Sequence, residues 1–499
     1  MSNIKKLAGQ TMWYGVSSIA ARFLNYLITP YLTDVLKPED YGKMSLVYSV
    51  LPFLNVLFTY GMETAFFRFS NKSETRDVIY NTTATSILIS TFFFGITLLL
   101  FHHQLATFAG IGNYPELIKM SIFIIMIDTL TIIPFAKLRY DGRPVKYAMA
   151  KISGIVAYLV FTYFFLSVCY VHAKNDPTSF YAKLVDTSRN PVYYIVVANL
   201  IQAIVTFAFL YKEIAAIRFK IDRILWRQII VYSMPLIIVG MGGVINETMD
   251  RIMLKWWVPG TDKFKEAQVG IYSACYKLSI LISLFVQAFR MGAEPFFFKQ
   301  AGTENPQRTY ARVMKFFVII ICVMFLVVAL YLNIWKYFIA KKLWEGLTVV
   351  PILLLANMFL GIYYNLSIWY KLGHKTSAGA YITLTGAAIT IVINYFFIPH
   401  FSYMACAWAT FFCYGSMMVF SFVWGQKEYK VPYAWKKLCA YIAIAVGLFF
   451  IHKAIGSITD NKVILFAVAT LLLAIYLWFI ALIEKKELVK LPVVGKYFS

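Results

Sequence analysis

Runs of eighteen or more predominantly apolar residues recur along the whole 499-residue chain. Each is long enough to cross a ~30 Å hydrocarbon core as a helix. Lipid leaves backbone groups no partners but each other, so only helices and closed barrels can span it. A transmembrane barrel would show alternating segments of about ten residues. Runs such as Val318 to Leu332 and Val463 to Ile483 do not alternate. The chain therefore reads as an all-α integral membrane protein. Fourteen spans are expected, at 11–33, 43–67, 82–101, 117–136, 150–171, 192–211, 228–254, 267–289, 313–334, 347–369, 378–398, 402–424, 438–455 and 463–483. The first is too long for a signal-peptide core and is interrupted by Arg22, so it reads as a retained span.

The net charge of +23 would suggest a nucleic-acid partner until it is placed relative to the bilayer. An even number of spans puts both termini on one side. With residues at span ends counted with the adjoining loops, that side holds 30 of the 47 Lys and Arg residues, the opposite side holds 15, and Arg22 and Lys277 lie deeper inside spans. The positive-inside rule then places both termini in the cytoplasm. The charge faces anionic lipid headgroups, and no nucleic acid is expected. The longest loops, near 172–191 and 290–312, run about twenty residues, too few for a domain. Function must lie inside the bundle or at its rims. Six cysteines without paired spacing or C-x-x-C predict neither disulfides nor a metal site.

The chain also repeats itself. Gly42-x-x-Ser45-x-x-Tyr48 recurs as Gly270-x-x-Ser273-x-x-Tyr276 at an offset of 228. Arg139 and Arg143 line up with Lys371 and Lys375 at an offset of 232, as do Gly154 with Gly386 and Tyr163-Phe164-Phe165-Leu166 with Tyr395-Phe396-Phe397-Ile398. Each half holds six spans, so both run through the membrane in the same direction. Residues 1–219 and 220–435 are expected to form two six-helix lobes, 436–484 an accessory helix pair, and 485–499 a cytoplasmic tail. Such repeats often mark transporters, whose halves move about a central site.

Charges inside the spans point to that site, because each costs ~2.5–3.5 kcal/mol at the membrane centre. The first span carries Gly15, Ser18, Arg22, Asn25, Thr29 and Thr33 on one face. Arg22 suits phosphate oxygens, which a guanidinium grips bidentately, with Asn25 beside it; the alternative is an ion pair with Asp128 or Glu63. The seventh span bears Gly240, Gly243, Glu247 and Asp250, with Arg251 adjacent. Its glycines read as packing positions rather than a phosphate loop. Lys277, deep in the eighth span, is either a second cationic contact or the partner of Asp250 or Glu247. Asp128 and Glu63 are either coupling sites for H+ or Na+ or permanent counter-ions, and Glu247 and Asp250 share that choice. No D-x-D, H-E-x-x-H or P-loop is present. The chain is expected not to be an enzyme, to have no catalytic residues, and to need neither metal nor cofactor.

Several stretches resemble the polysaccharide-transport, Wzx-type flippases of the multidrug/oligosaccharidyl-lipid/polysaccharide exporter superfamily. They are the arginine in the first span followed by Leu36-Lys37-Pro38-Glu39-Asp40-Tyr41-Gly42, then Pro134-Phe135-Ala136-Lys137-Leu138-Arg139, Asp250-Arg251, and Val269-Gly270-Ile271-Tyr272-Ser273-x-x-Tyr276-Lys277. The resemblance covers essentially the whole chain. It implies a multi-pass protein of the bacterial inner membrane that flips undecaprenyl-diphosphate-linked oligosaccharide for surface polysaccharide such as O-antigen or lipopolysaccharide. Glycosyltransferases and a polymerase of the pathway would be its partners. It further implies a cationic cavity served by basic residues of the first, second and eighth spans, of which Arg22 and Lys277 match the first and last, and a polyprenyl groove on the last helix pair; Asn25 and Arg251 are expected beside them as substrate contacts. The second span departs from the pattern, since Lys43 and Arg68 lie at its ends. The competing readings are a drug/cation antiporter of the same superfamily, which predicts an acidic cavity and twelve helices, and a membrane glycosyltransferase or polymerase, which predicts a large loop with paired acids.

Overall fold

A computed structural model describes residues 20, 22–70, 76–302, 304–373 and 375–489. These residues form helices and no strand. Thirteen of the helices are long and apolar enough to cross a membrane, and they coincide with the second to fourteenth expected spans. The first expected span, with Gly15 and Ser18, lies mostly outside the described residues; of its later part, residues 22–27 and Thr29–Val35 are helical. Large apolar side chains such as Phe93, Leu100, Val231, Ile238 and Trp478 are exposed along these helices. In a chain that spans a bilayer this is the surface that lipid covers.

Several helices outrun their apolar runs. Arg223–Trp257 has 35 residues and Asp262–Gln300 has 39, whereas about twenty suffice to cross the core. The expected loop at 290–312 is corrected accordingly: it is helical to Gln300 and again from Pro306. Glu294 stabilises the extension, accepting hydrogen bonds from Arg290 Nε at 2.8 Å and from Lys371 Nζ at 2.6 Å. The first of these is an i,i+4 pair along one helix face. Hydropathy marks only what lipid covers, so a helix that continues into water is invisible to it. The 172–191 segment contains two short helices, Tyr170–Asn175 and Phe180–Leu184. Asp176 caps the turn between them and Asp186 the turn after the second, each accepting the N–H and O–H of the residue two on, Thr178 and Ser188. Those hydroxyl hydrogen bonds hold both carboxyls below the ordinary carboxylate range.

The second span is two helices, Pro38–Thr59 and Met62–Ser70, hinged at Tyr60 (φ 33°) and Gly61 (φ 71°). At Gly61 a Cβ would also stand 2.9 Å from Leu236 Cδ1. Glycine answers both demands.

By compactness the chain divides into one unit of Met1–Ala274 with Thr383–Ala409, and a second of Cys275–Ile382 with Thr410–Ser499. In the first, the Val192–Phe209 helix packs along Pro144–Tyr163 and Pro115–Tyr140. The approach is close at Gly154, where a Cβ would lie 2.3 Å from Thr206 Oγ1. The two repeat glycines also meet in this unit. A Cβ on Gly42 would lie 1.8 Å from the Glu266 carbonyl oxygen, and one on Gly270 would lie 2.0 Å from that of Pro38. The duplicated motif is thus a helix crossing in which each copy packs on the other. Buried charges brace it: Lys43 bonds Asp40 at 3.1 Å and pairs with Glu266 at 3.7 Å, and Glu266 also receives Lys255 at 3.1 Å.

In the second unit, Pro306–Ala329 packs against Val350–Leu366 and against the final pair, Trp435–Gly456 and Lys462–Leu488. The pair is fastened by Glu484, a buried carboxylate that accepts Lys315 Nζ at 2.7 Å, Lys437 Nζ at 2.5 Å and Tyr441 Oη at 2.5 Å. A buried charge is tolerable when it is this fully paired.

Candidate functional site

The first unit encloses a cavity of about 670 Å³, within the ~300–1,000 Å³ typical of small-molecule sites. Its walls come from five spans, and they are polar where lipid-facing surfaces are not. Asn25 reaches it from the first span and Asn55 from the Pro38–Thr59 helix, whose internal Pro52 also lines the space. Glu63 follows from beyond the Tyr60–Gly61 hinge. The Pro115–Tyr140 helix contributes Asp128, Thr131 and Arg139; Pro144–Tyr163 contributes Tyr147 and Lys151; Val192–Phe209 contributes Asn199 and Gln202.

The four charges differ in their company. Glu63 forms an ion pair with Arg139, whose guanidinium also lies over the Phe67 ring at 4.8 Å. Lys151 is near enough to act electrostatically on Asp128, but its ammonium sits over the Phe135 ring, 4.4 Å from the centroid. Phe135 in turn meets Tyr147 edge to face at 5.1 Å. Asn199 Nδ2 donates to Gln202 Oε1 at 3.3 Å, one turn along the same helix face.

Three of the eight residues singled out from the sequence, Asn25, Glu63 and Asp128, line this cavity. Arg22 is exposed three residues before Asn25. Asp250 is buried in the same unit but engaged elsewhere: it accepts Tyr272 Oη at 2.5 Å, and Arg251 through its Nη1 at 3.0 Å and its own N–H at 2.8 Å. Arg251 Nη1 also donates to the Glu247 carbonyl at 2.7 Å, and the Glu247 side chain is exposed. The Gly240–Gly243–Glu247–Asp250 stripe therefore serves no single neighbour: Gly240 packs on Val56, whereas a Cβ on Gly243 would meet nothing within 4 Å. Lys277 is half-buried in the Asp262–Gln300 helix, in the second unit. Arg139, Lys151, Asn55, Asn199 and Gln202 escaped the sequence reading as site residues. Asn199 and Gln202, three apart in an otherwise apolar span, were the signal available.

The comparisons with known proteins agree with this architecture. The chain resembles the solved structure of lipid II flippase MurJ in an inward closed conformation, with a TM-score of 0.70 at 13% identity, over 96% of this chain and 99% of that one. It also resembles an inward-facing multidrug resistance MATE family transporter of the MOP superfamily, with a TM-score of 0.63 at 13% identity, over 82% and 94%. No curated protein matches it in sequence. A family model described as polysaccharide biosynthesis protein matches residues 7–301, more than half of the chain. The chain belongs to the polysaccharide biosynthesis protein family, as a multi-pass membrane protein that shares the fold of these solved flippase and transporter structures.

Proposed function

We propose that the protein flips undecaprenyl-diphosphate-linked oligosaccharide across a bacterial inner membrane by alternating access, for assembly of a surface polysaccharide such as O-antigen. The observation that carries this reading is a polar, charge-lined cavity among membrane-crossing helices in a chain of the polysaccharide biosynthesis family. A diphosphate bearing sugars cannot cross hydrocarbon unaided, because its polar groups would lose their hydration. Fixed polar groups replace that hydration while the polyprenyl tail stays in lipid, and no covalent step is required. Arg22 is the cation for the diphosphate. The tail has a matching surface in the second unit, an apolar pocket of about 170 Å³ whose lining includes Met314, Val318, Ile362, Phe422 and Leu438. Both termini lie in the cytoplasm, by the bias of Lys and Arg between the two sets of loops. Asp128 is the group for coupling to H+ or Na+, since Glu63 already has Arg139 as its counter-ion.

The test is Arg22→Ala in cells. Surface polysaccharide is lost while the protein remains inserted at normal abundance. Normal export in that variant removes Arg22 from the mechanism.

A further inference from the structure

Resting on the flippase reading, we infer that the cavity of the first unit is a saccharide subsite: it receives uncharged sugar rings of the cargo, and the diphosphate stays outside it. Charge is the first reason. Among the described residues the lining acids are Glu63 and Asp128 and the lining bases are Arg139 and Lys151, so the formal sum is zero. A diphosphate needs a surplus of fixed cations to replace its hydration, and this cavity offers none. A neutral glycan needs the opposite, a dense supply of neutral donors and acceptors with no net field.

That supply is present. Asn55, Asn199 and Gln202 each carry a carbonyl oxygen and an amino group, and can donate to one hydroxyl while accepting from its neighbour. The single 3.3 Å bond between Asn199 and Gln202 orients the two amides without exhausting them. Asp128 adds a carboxylate, an acceptor suited to two adjacent hydroxyls. Phe135 and Tyr147, packed edge to face, complete the lining beside these polar groups. A space of about 670 Å³ admits a short glycan segment.

Placement relative to Arg22 completes the inference. Asn25 lines the cavity and Arg22 precedes it by three residues, so the two share a helix face about 4.5 Å apart along the axis. A diphosphate held at Arg22 leaves its attached sugar at the level of Asn25, directed to the amides.

The test measures binding by the purified full-length protein through quenching of its tryptophan fluorescence. Two probes are compared, undecaprenyl diphosphate alone and undecaprenyl diphosphate carrying a neutral oligosaccharide. Wild type binds the glycosylated probe more tightly. The Asn199→Ala/Gln202→Ala variant raises the Kd of the glycosylated probe roughly tenfold and leaves that of the bare lipid unchanged. Arg22→Ala weakens both probes alike. Asn55→Ala, an exposed position on a different helix, repeats the selective loss and covers the case in which the double variant does not fold. Equal affinity of wild type for the two probes, or parallel loss of both in the Asn199/Gln202 and Asn55 variants, overturns the saccharide subsite. Failure of wild type to bind either probe overturns the flippase reading instead.

Discussion

Glu63 and Asp128 line one cavity, and their surroundings set their roles apart. Glu63 is paired with Arg139, so neutralising it removes a partly exposed ion pair worth about 0–1 kcal/mol. Asp128 feels Lys151 without being clamped by it, because Lys151 is seated on Phe135. In proteoliposomes, Asp128→Asn should abolish the response of translocation to an imposed proton or sodium gradient. Glu63→Gln should keep the response and lower thermal stability by less than about 1 kcal/mol. Equal loss of the response in both variants would contradict this division. Charged and polar residues standing in apolar runs were legible, which is why Asn25, Glu63 and Asp128 could be singled out from sequence. Arg139 and Lys151 were not, because Arg139 falls between the fourth and fifth expected spans and Lys151 at the very edge of the fifth. The Pro115–Tyr140 helix carries Arg139 past its apolar run, and Lys151 lies two turns inside Pro144–Tyr163 rather than at a rim.

At the scale of elements, the repeat has physical counterparts. Its two glycines form one crossing through each other's backbone. Its two basic pairs each make the same kind of bridge within their own unit. Arg139 binds Glu63, and Lys371 binds Glu294, a glutamate at an offset of 231 from the first. Arg143 binds Glu213 at the end of the sixth span, and Lys375 binds Glu428 at the end of the twelfth. The matched positions mark ion pairs that fasten span ends inside each half. Because backbone blocks a Cβ at the crossing, Gly42→Ala or Gly270→Ala should cost ~1–3 kcal/mol through overpacking, read as a lowered melting temperature in detergent. Gly243→Ala, with open space around it, should leave the melting temperature unchanged or raise it. A melting temperature insensitive to alanine at both crossing glycines would show that the helices do not approach so closely. Hydropathy made thirteen of these spans legible, but not the break at Tyr60–Gly61 or the helical extension to Gln300. A backbone hinge and a helix in water leave no trace in an apolar run.

At the scale of the whole molecule, composition and charge placement were enough for a multi-pass helical protein, and the family match agrees. The cargo is encoded less openly, because neutral amides and hydroxyls of the kind a sugar would need are dispersed over several spans and leave no charge pattern in the sequence. The proposed transport of a lipid-linked glycan is read most directly in proteoliposomes. Fluorescent undecaprenyl-diphosphate oligosaccharide is loaded in one leaflet, and its arrival in the other is followed with a membrane-impermeant quencher. Wild-type protein should accelerate translocation well above empty liposomes, and Arg22→Ala should lower the rate at least about tenfold, the equivalent of ~1.4 kcal/mol. Translocation no faster than in empty liposomes, or equal acceleration of an ordinary phospholipid, would contradict the account.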